Sequence, residues 1–145
     1  GTCMNRMTLS FDAKLENEAF ARTSAVAFLM PLNPTVDEIM EIKTILAEAV
    51  VNCMIHGYQG CEEGQVRISV AYDETHRVTI EVQDTGIGIE DITLARQPLY
   101  TTRADLERSG MGMTIMESFS DEFEIQSHPN QGTTVRLVKQ LQFHE

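Results

Sequence analysis

The chain has 145 residues, 42% of them apolar, and a formal net charge of -11 from 22 acidic and 11 basic side chains. This length predicts one domain around a single core, and the scattered Lys and Arg in so acidic a chain argue against direct nucleic-acid binding. Apolar runs too short to cross a bilayer, and a start without a basic, apolar and small-residue leader, predict a soluble cytoplasmic protein that does not enter membranes.

A short strand is expected at Met7 to Phe11, where Met7, Leu9 and Phe11 alternate with polar residues. A first helix is predicted from about Leu15 to Met30, ending at Pro31. A second starts at Pro34-Thr35 and runs to about Ile55, with Ile39, Ile42, Leu46, Ala49, Val50 and Cys53 at helical spacing before Gly57. Two Val- and Ile-rich runs, Val66 to Tyr72 and Val78 to Val82, read as a hairpin turning through Asp73 to His76. From Asp84 to Gly112 there is little periodicity and four glycines, the composition of a functional loop, and a helix is expected from Ser109 to Phe119. Strands at about Glu122 to Ser127 and Thr133 to Leu141 flank Pro129 to Gly132. Segregated strands and helices predict an α/β (α+β) two-layer sandwich.

Three cysteines suggest no disulfide framework, and Cys53, His56 and Cys61 lack a fourth ligand at a recognisable spacing, so ordinary core or surface roles are expected and no structural zinc. Four strings carry the chemistry instead. Glu48 and Asn52 are one helical turn apart, about 40° around the axis and offset from the apolar stripe. An amide oxygen there suits magnesium already neutralised by phosphate, and a carboxylate beside it can accept a proton, although two solvated polar residues would look the same. Asp84, after a strand, can accept a hydrogen bond from an exocyclic amine, and Gly86 and Gly88 let the backbone approach a flat base. Gly110-Met111-Gly112 opens a predicted helix whose bare N–H groups favour phosphate. Gly132-Thr133-Thr134 completes the set. Together the four strings predict a nucleotide site.

Glu48 to Asn52 with His56-Gly57 resembles the N box of the gyrase, Hsp90, histidine-kinase and mismatch-repair ATPase superfamily, and the three glycine strings resemble its G boxes. Within it, the stretch Arg96 to Thr102 and then Leu106 to Gly112 is similar to the anti-sigma factor serine kinases. The resemblance implies a Bergerat-type ATP-binding fold, a mixed sheet with helices on one face, and a homodimer. It implies ATP or ADP with Mg2+ as cofactors. Asn52 would coordinate the magnesium, Glu48 would be the general base, and Asp84 would bind the adenine amine with Gly86, Gly88 and Thr134 around the base. A lid from about Glu90 to Gly110, with Thr101, Thr102, Ser109, Gly110, Met111 and Gly112, would meet the phosphates, and Arg108 would offset charge at the terminal one, with Arg103 a weaker candidate. The implied partners are a sporulation RNA polymerase sigma factor and an anti-anti-sigma factor, the serine substrate, meeting a surface near Arg22. Two other readings stay open: a nucleotide-dependent sequestering module without kinase activity, and the general-stress branch of the same family.

Overall fold

A computed structural model describes residues 4–54, 64–84, 108–128 and 132–143, with backbone alone at 108–112 and 127–128. Along the chain these form β1 (Met4–Asp12), α1 (Glu18–Leu29), α2 (Val36–Asn52), β2 (Gln65–Asp73), β3 (Arg77–Asp84), α3 (Arg108–Ser118), β4 (Glu122–His128) and β5 (Gly132–Gln140). The strands make one sheet in the order β1-β2-β3-β5-β4.

Strand alternation separates the two faces of this sheet. Val66, Ile68, Val70, Val78, Ile80, Val82, Val135 and Leu137 point toward the helices and are buried with Ala21, Ala25, Leu29, Ile42, Ile45, Leu46, Met113 and Met116 in one core. Each large aliphatic side chain sealed there contributes about 1.5–3 kcal/mol. The other face carries Thr8, Ser69, Glu81, Arg136 and Glu124 in register across all five strands. It is a polar ladder, with Thr8 and Ser69 hydroxyls 3.3 Å apart and Arg136 Nε 3.7 Å from Glu81. The two-layer sandwich expected from the sequence is thus present.

The mixed pairing implied by resemblance needs correction, because every ladder among the described residues is antiparallel. Two helices in succession return the chain to the end of the sheet where β1 stopped, so Gln65 starts β2 opposite Asp12. β3 and β4 do run in the same direction, but β5 lies between them and pairs antiparallel with both.

Local chemistry sets the helix positions. Leu15–Asn17 forms a 3-10 turn, so the regular part of α1 starts three residues later than the periodicity predicts. After the second 3-10 turn, Asn33 takes a left-handed conformation with φ 53°, which reverses the chain. Thr35 then closes a capping box: its hydroxyl accepts from Glu38 N at 3.1 Å, and Glu38 Oε1 accepts from Thr35 N at 2.9 Å. At its far end α2 widens, with Cys53 N–H shared between the Ala49 and Val50 carbonyls and a π-type turn through Met54. The predicted stop at Ile55 to Gly57 lies outside the described residues.

Lys139 fastens the layers together. Its buried ammonium donates to Glu41 Oε1 of α2 at 2.8 Å and to the Phe119 carbonyl after α3 at 2.9 Å.

The β2–β3 turn is organised by Asp73, whose Oδ1 accepts from the Thr75 hydroxyl at 2.6 Å, Thr75 N at 2.9 Å and Arg77 N at 3.2 Å. The Thr75 hydroxyl, and then the backbone donors, hold this carboxyl below its usual range. Bonds to the ionised form act fully above the unfolded carboxylate value of about 3.9 and are lost as pH falls through the depressed folded value. Titration of the Asp73 carboxyl by NMR is expected to give a midpoint below 3.9. A midpoint at or above that value would remove the turn from the acid stability of the fold.

Candidate nucleotide site

Three of the sequence's candidate residues lie at the C-terminal end of α2 and at the last residue of β3, and all three are buried. Glu48 is 8% exposed, Asn52 4% and Asp84 6%. The first two therefore do not sit on a solvated face offset from the core. From Glu48 to Asn52 every α2 residue is buried, because this end of the helix is enclosed all round while its start is covered on one side only.

Asn52 is the least satisfied of them. Its Nδ2 and its Oδ1 are both buried, and among the described residues neither has a hydrogen-bond partner. A buried amide left this way costs about 1–3 kcal/mol, so folded proteins seldom keep one without a use. Glu48, one turn earlier, projects from the same side of the helix.

Asp84 is held in register with Val66 at the end of β3 and faces the helices. It accepts a hydrogen bond from the thiol of Cys53, the residue after Asn52. Burial first, then the Asp84 charge and that hydrogen bond, push the Cys53 thiol well above the ordinary thiol range, so it keeps its proton. A hollow of about 310 Å3 at this end of the sheet is lined by Ser10, Gln65, Arg67 and Gln83 on the face away from the helices, with Val66 and Asp84 at its border, so it is not the side toward which Asp84 faces.

Among the described candidates, Thr134 does not share the side of Asp84. It stands opposite Gln83 on the face away from the helices, and Gln83 Nε2 lies 3.5 Å from its hydroxyl. One residue earlier, Thr133 shares the helix-facing side with Asp84 and is 5% exposed. The side-chain period of a strand is two, so a one-residue choice within Thr133-Thr134 decides which face the hydroxyl serves. The signal was in the sequence: Val135 and Leu137 face the core, and counting back by twos reaches Thr133.

Arg108 to Gly112 form the first part of α3, which therefore starts two residues before the glycine pair rather than at it. Their backbone N–H groups belong to the positive end of that helix. Gly86, Gly88, Thr101, Thr102 and Arg103, with nearly all of the expected lid, lie outside the described residues. Arg22, expected near a partner surface, sits on α1 with Nε 3.1 Å from Glu18 Oε2 on its own helix. Among the described residues no group of His, Cys, Asp or Glu could hold a metal ion, and no helix is long and apolar enough to cross a membrane. A cation at this point would draw on the Asn52 amide oxygen and on the ligand's own oxygens, and the orphaned amide fits that use.

The histidine kinase-like ATPase domain family matches residues 11–139 of the chain. The anti-sigma F factor of Bacillus subtilis is 52% identical over 137 residues, spanning 94% of this chain and 93% of that protein. The anti-sigma F factor of Anoxybacillus flavithermus is 53% identical over the same shares. Among solved structures, the nucleotide-free catalytic domain of the histidine kinase ThkA is similar with a TM-score of 0.55 at 15% identity, over 95% of this chain and 99% of that one. The blue-light activated histidine kinase of Erythrobacter litoralis EL346 gives a TM-score of 0.59 at 15% identity, over 86% of this chain and 41% of that one. At those identities the structural likeness speaks for the fold alone.

Proposed function

Because the chain belongs to the anti-sigma F factor family and carries a histidine kinase-like ATPase domain, we propose that it holds a sporulation RNA polymerase sigma factor inactive and phosphorylates a serine of an anti-anti-sigma factor with ATP. The observation that carries this reading is the buried Asn52 amide, without a hydrogen-bond partner among the described residues and one turn from the buried Glu48. Groups suited to a metal-bound phosphate, a proton and an exocyclic amine are thus buried at one helix end and one strand end.

In this reading Asp84 accepts a hydrogen bond from the adenine amine, with Gly86 and Gly88 allowing close backbone approach and Thr133, rather than Thr134, beside the base. The Asn52 oxygen would hold the magnesium, which when bound neutralises phosphate charge. The N–H groups from Ser109 to Gly112 cradle phosphate oxygens at the start of α3, with Thr101 and Thr102 from the lid. Arg108 offsets the charge that spreads over the terminal phosphoryl group as its bond to the leaving oxygen breaks. Glu48 accepts the proton of the substrate serine hydroxyl as that oxygen attacks phosphorus. A homodimer in the cytoplasm, with Arg22 near the partner surface, completes the proposal.

The test is transfer of labelled phosphate from ATP and magnesium to a purified anti-anti-sigma factor. Labelling on serine is the expected result. Tight ATP binding with no labelling would favour a sequestering module in which nucleotide acts as a switch.

The choice between the two threonines is checked separately. Thr133→Val is expected to weaken ATP binding about tenfold by calorimetry, the loss of one buried hydrogen bond, while Thr134→Val stays within about twofold of the parent. The reverse pattern would return the hydroxyl to the other face.

A further inference from the structure

A lysine is seldom buried without a partner, because its ammonium must be compensated once it leaves water. Lys139 of β5 is buried, and its ammonium joins the two helices that carry the proposed phosphate site. It donates to Glu41 Oε1 on α2 at 2.8 Å and to the Phe119 carbonyl, just past α3, at 2.9 Å. Along α2, Glu48 and Asn52 follow Glu41 by about two and three turns. Along α3, the N–H groups of Ser109 to Gly112 stand at the opposite end from Phe119.

A helix is a nearly rigid rod that rises about 1.5 Å per residue, which makes α3 about 16 Å long. Met113 and Met116 seat its middle in the core. A rod seated only at its middle is free to tilt, and a second fixed point removes that freedom. The Phe119 carbonyl is that second point: it belongs to the helix end, where carbonyls lack helical donors, and an ammonium there also meets the negative end of the dipole. Gly110 precedes Met113 by as many residues as Phe119 follows Met116. A swing at the far end therefore returns at the phosphate-facing end with similar size and opposite direction.

We propose that Lys139 is a positioning residue for the nucleotide phosphates: by tying the end of α3 to α2, it aims the N–H groups of Ser109 to Gly112 at the position that Asn52 serves. The inference rests on the nucleotide reading given above. It concerns the phosphates and not the base, because Asp84 is held by the β2–β3 ladder.

The experiment measures Kd values of the full chain for ATP with magnesium and for adenosine, which has no phosphates, in the parent and in Lys139→Met. It also follows the backbone amide signals of Gly110 and Gly112 by NMR in the nucleotide-free chain. The parent is expected to prefer ATP by at least about a hundredfold, as two charge-assisted hydrogen bonds would give. Lys139→Met should cut that preference about tenfold or more, leave the adenosine Kd within about twofold, and move both glycine signals. If this variant melts too early because Glu41 is left without its cation, Lys139→Met with Glu41→Gln removes both charges and serves the same comparison. Equal weakening of both ligands, or a lower melting temperature with the preference and the glycine signals unchanged, would show a fastening role only and overturn the proposal. A parent that binds ATP no more tightly than adenosine would overturn the phosphate reading of α3, and this inference with it.

Discussion

Glu48→Gln is expected to lower serine phosphorylation by about 10²- to 10⁴-fold, the range over which a positioned general base acts, while ATP affinity changes by less than about threefold. Glutamine keeps the length and the planar end of the side chain, so the enclosed position at the end of α2 is filled as before. What is lost is the capacity to take a proton. Single-turnover labelling of the anti-anti-sigma factor separates this from slow product release, since lid motion can limit turnover without touching the chemical step. Parallel loss of binding and transfer would mean that Glu48 shapes the pocket and that another group takes the proton.

Asn52→Leu carries the second large effect, and its two halves have opposite signs. The nucleotide-free protein is expected to gain about 1–3 kcal/mol, since an apolar side chain of similar size replaces a buried amide whose donor and acceptor both go unmet among the described residues. In a domain of this size that raises the melting temperature by roughly 3–10 °C. The same substitution should abolish the further stabilisation that ATP with magnesium gives the parent. Thermal melts with and without nucleotide read both halves in one series. A variant that melts lower than the parent without ligand would show that Asn52 is satisfied within the fold, and the observation behind the proposed function would be gone. Retaining function at the expense of stability is the general behaviour of sites that wait for a ligand.

Much of the architecture was legible from the residues because its periods are clean. Val66 to Tyr72 and Val78 to Val82 alternate without interruption, and both strands were found with their turn at Asp73 to His76, each extended at its ends by polar residues that pairing alone recruits. The start of α2 was legible for a chemical reason, the Thr35 and Glu38 box. Its far end was not. Helical spacing distinguishes an apolar stripe from a polar flank, but the flank at Glu48 and Asn52 is buried by tertiary packing, which no local pattern reports. Strand pairing failed to show itself for a related reason: the position of β5 between β3 and β4 depends on long-range register, and the sequence order of the three strands is silent on it. Which face Thr133 and Thr134 take could be counted along an alternation that Val135 and Leu137 display plainly.

The strand order also bears on how the chain is made. β5 is synthesised last and occupies the place between two strands made earlier. As a nascent chain leaves the ribosome, β1, β2 and β3 can assemble, but β3 then presents an open edge and β4 has no neighbour until residues 132–140 arrive. Such an edge, rich in Val and Ile, is an invitation to pair with another chain. Translation through β5 is therefore the committing event: it closes the edge, brings Thr133 alongside Asp84, and delivers Lys139 to Glu41 and the end of α3. A polypeptide stopped before that strand would have Glu48, Asn52 and Asp84 and still hold a sheet in two pieces.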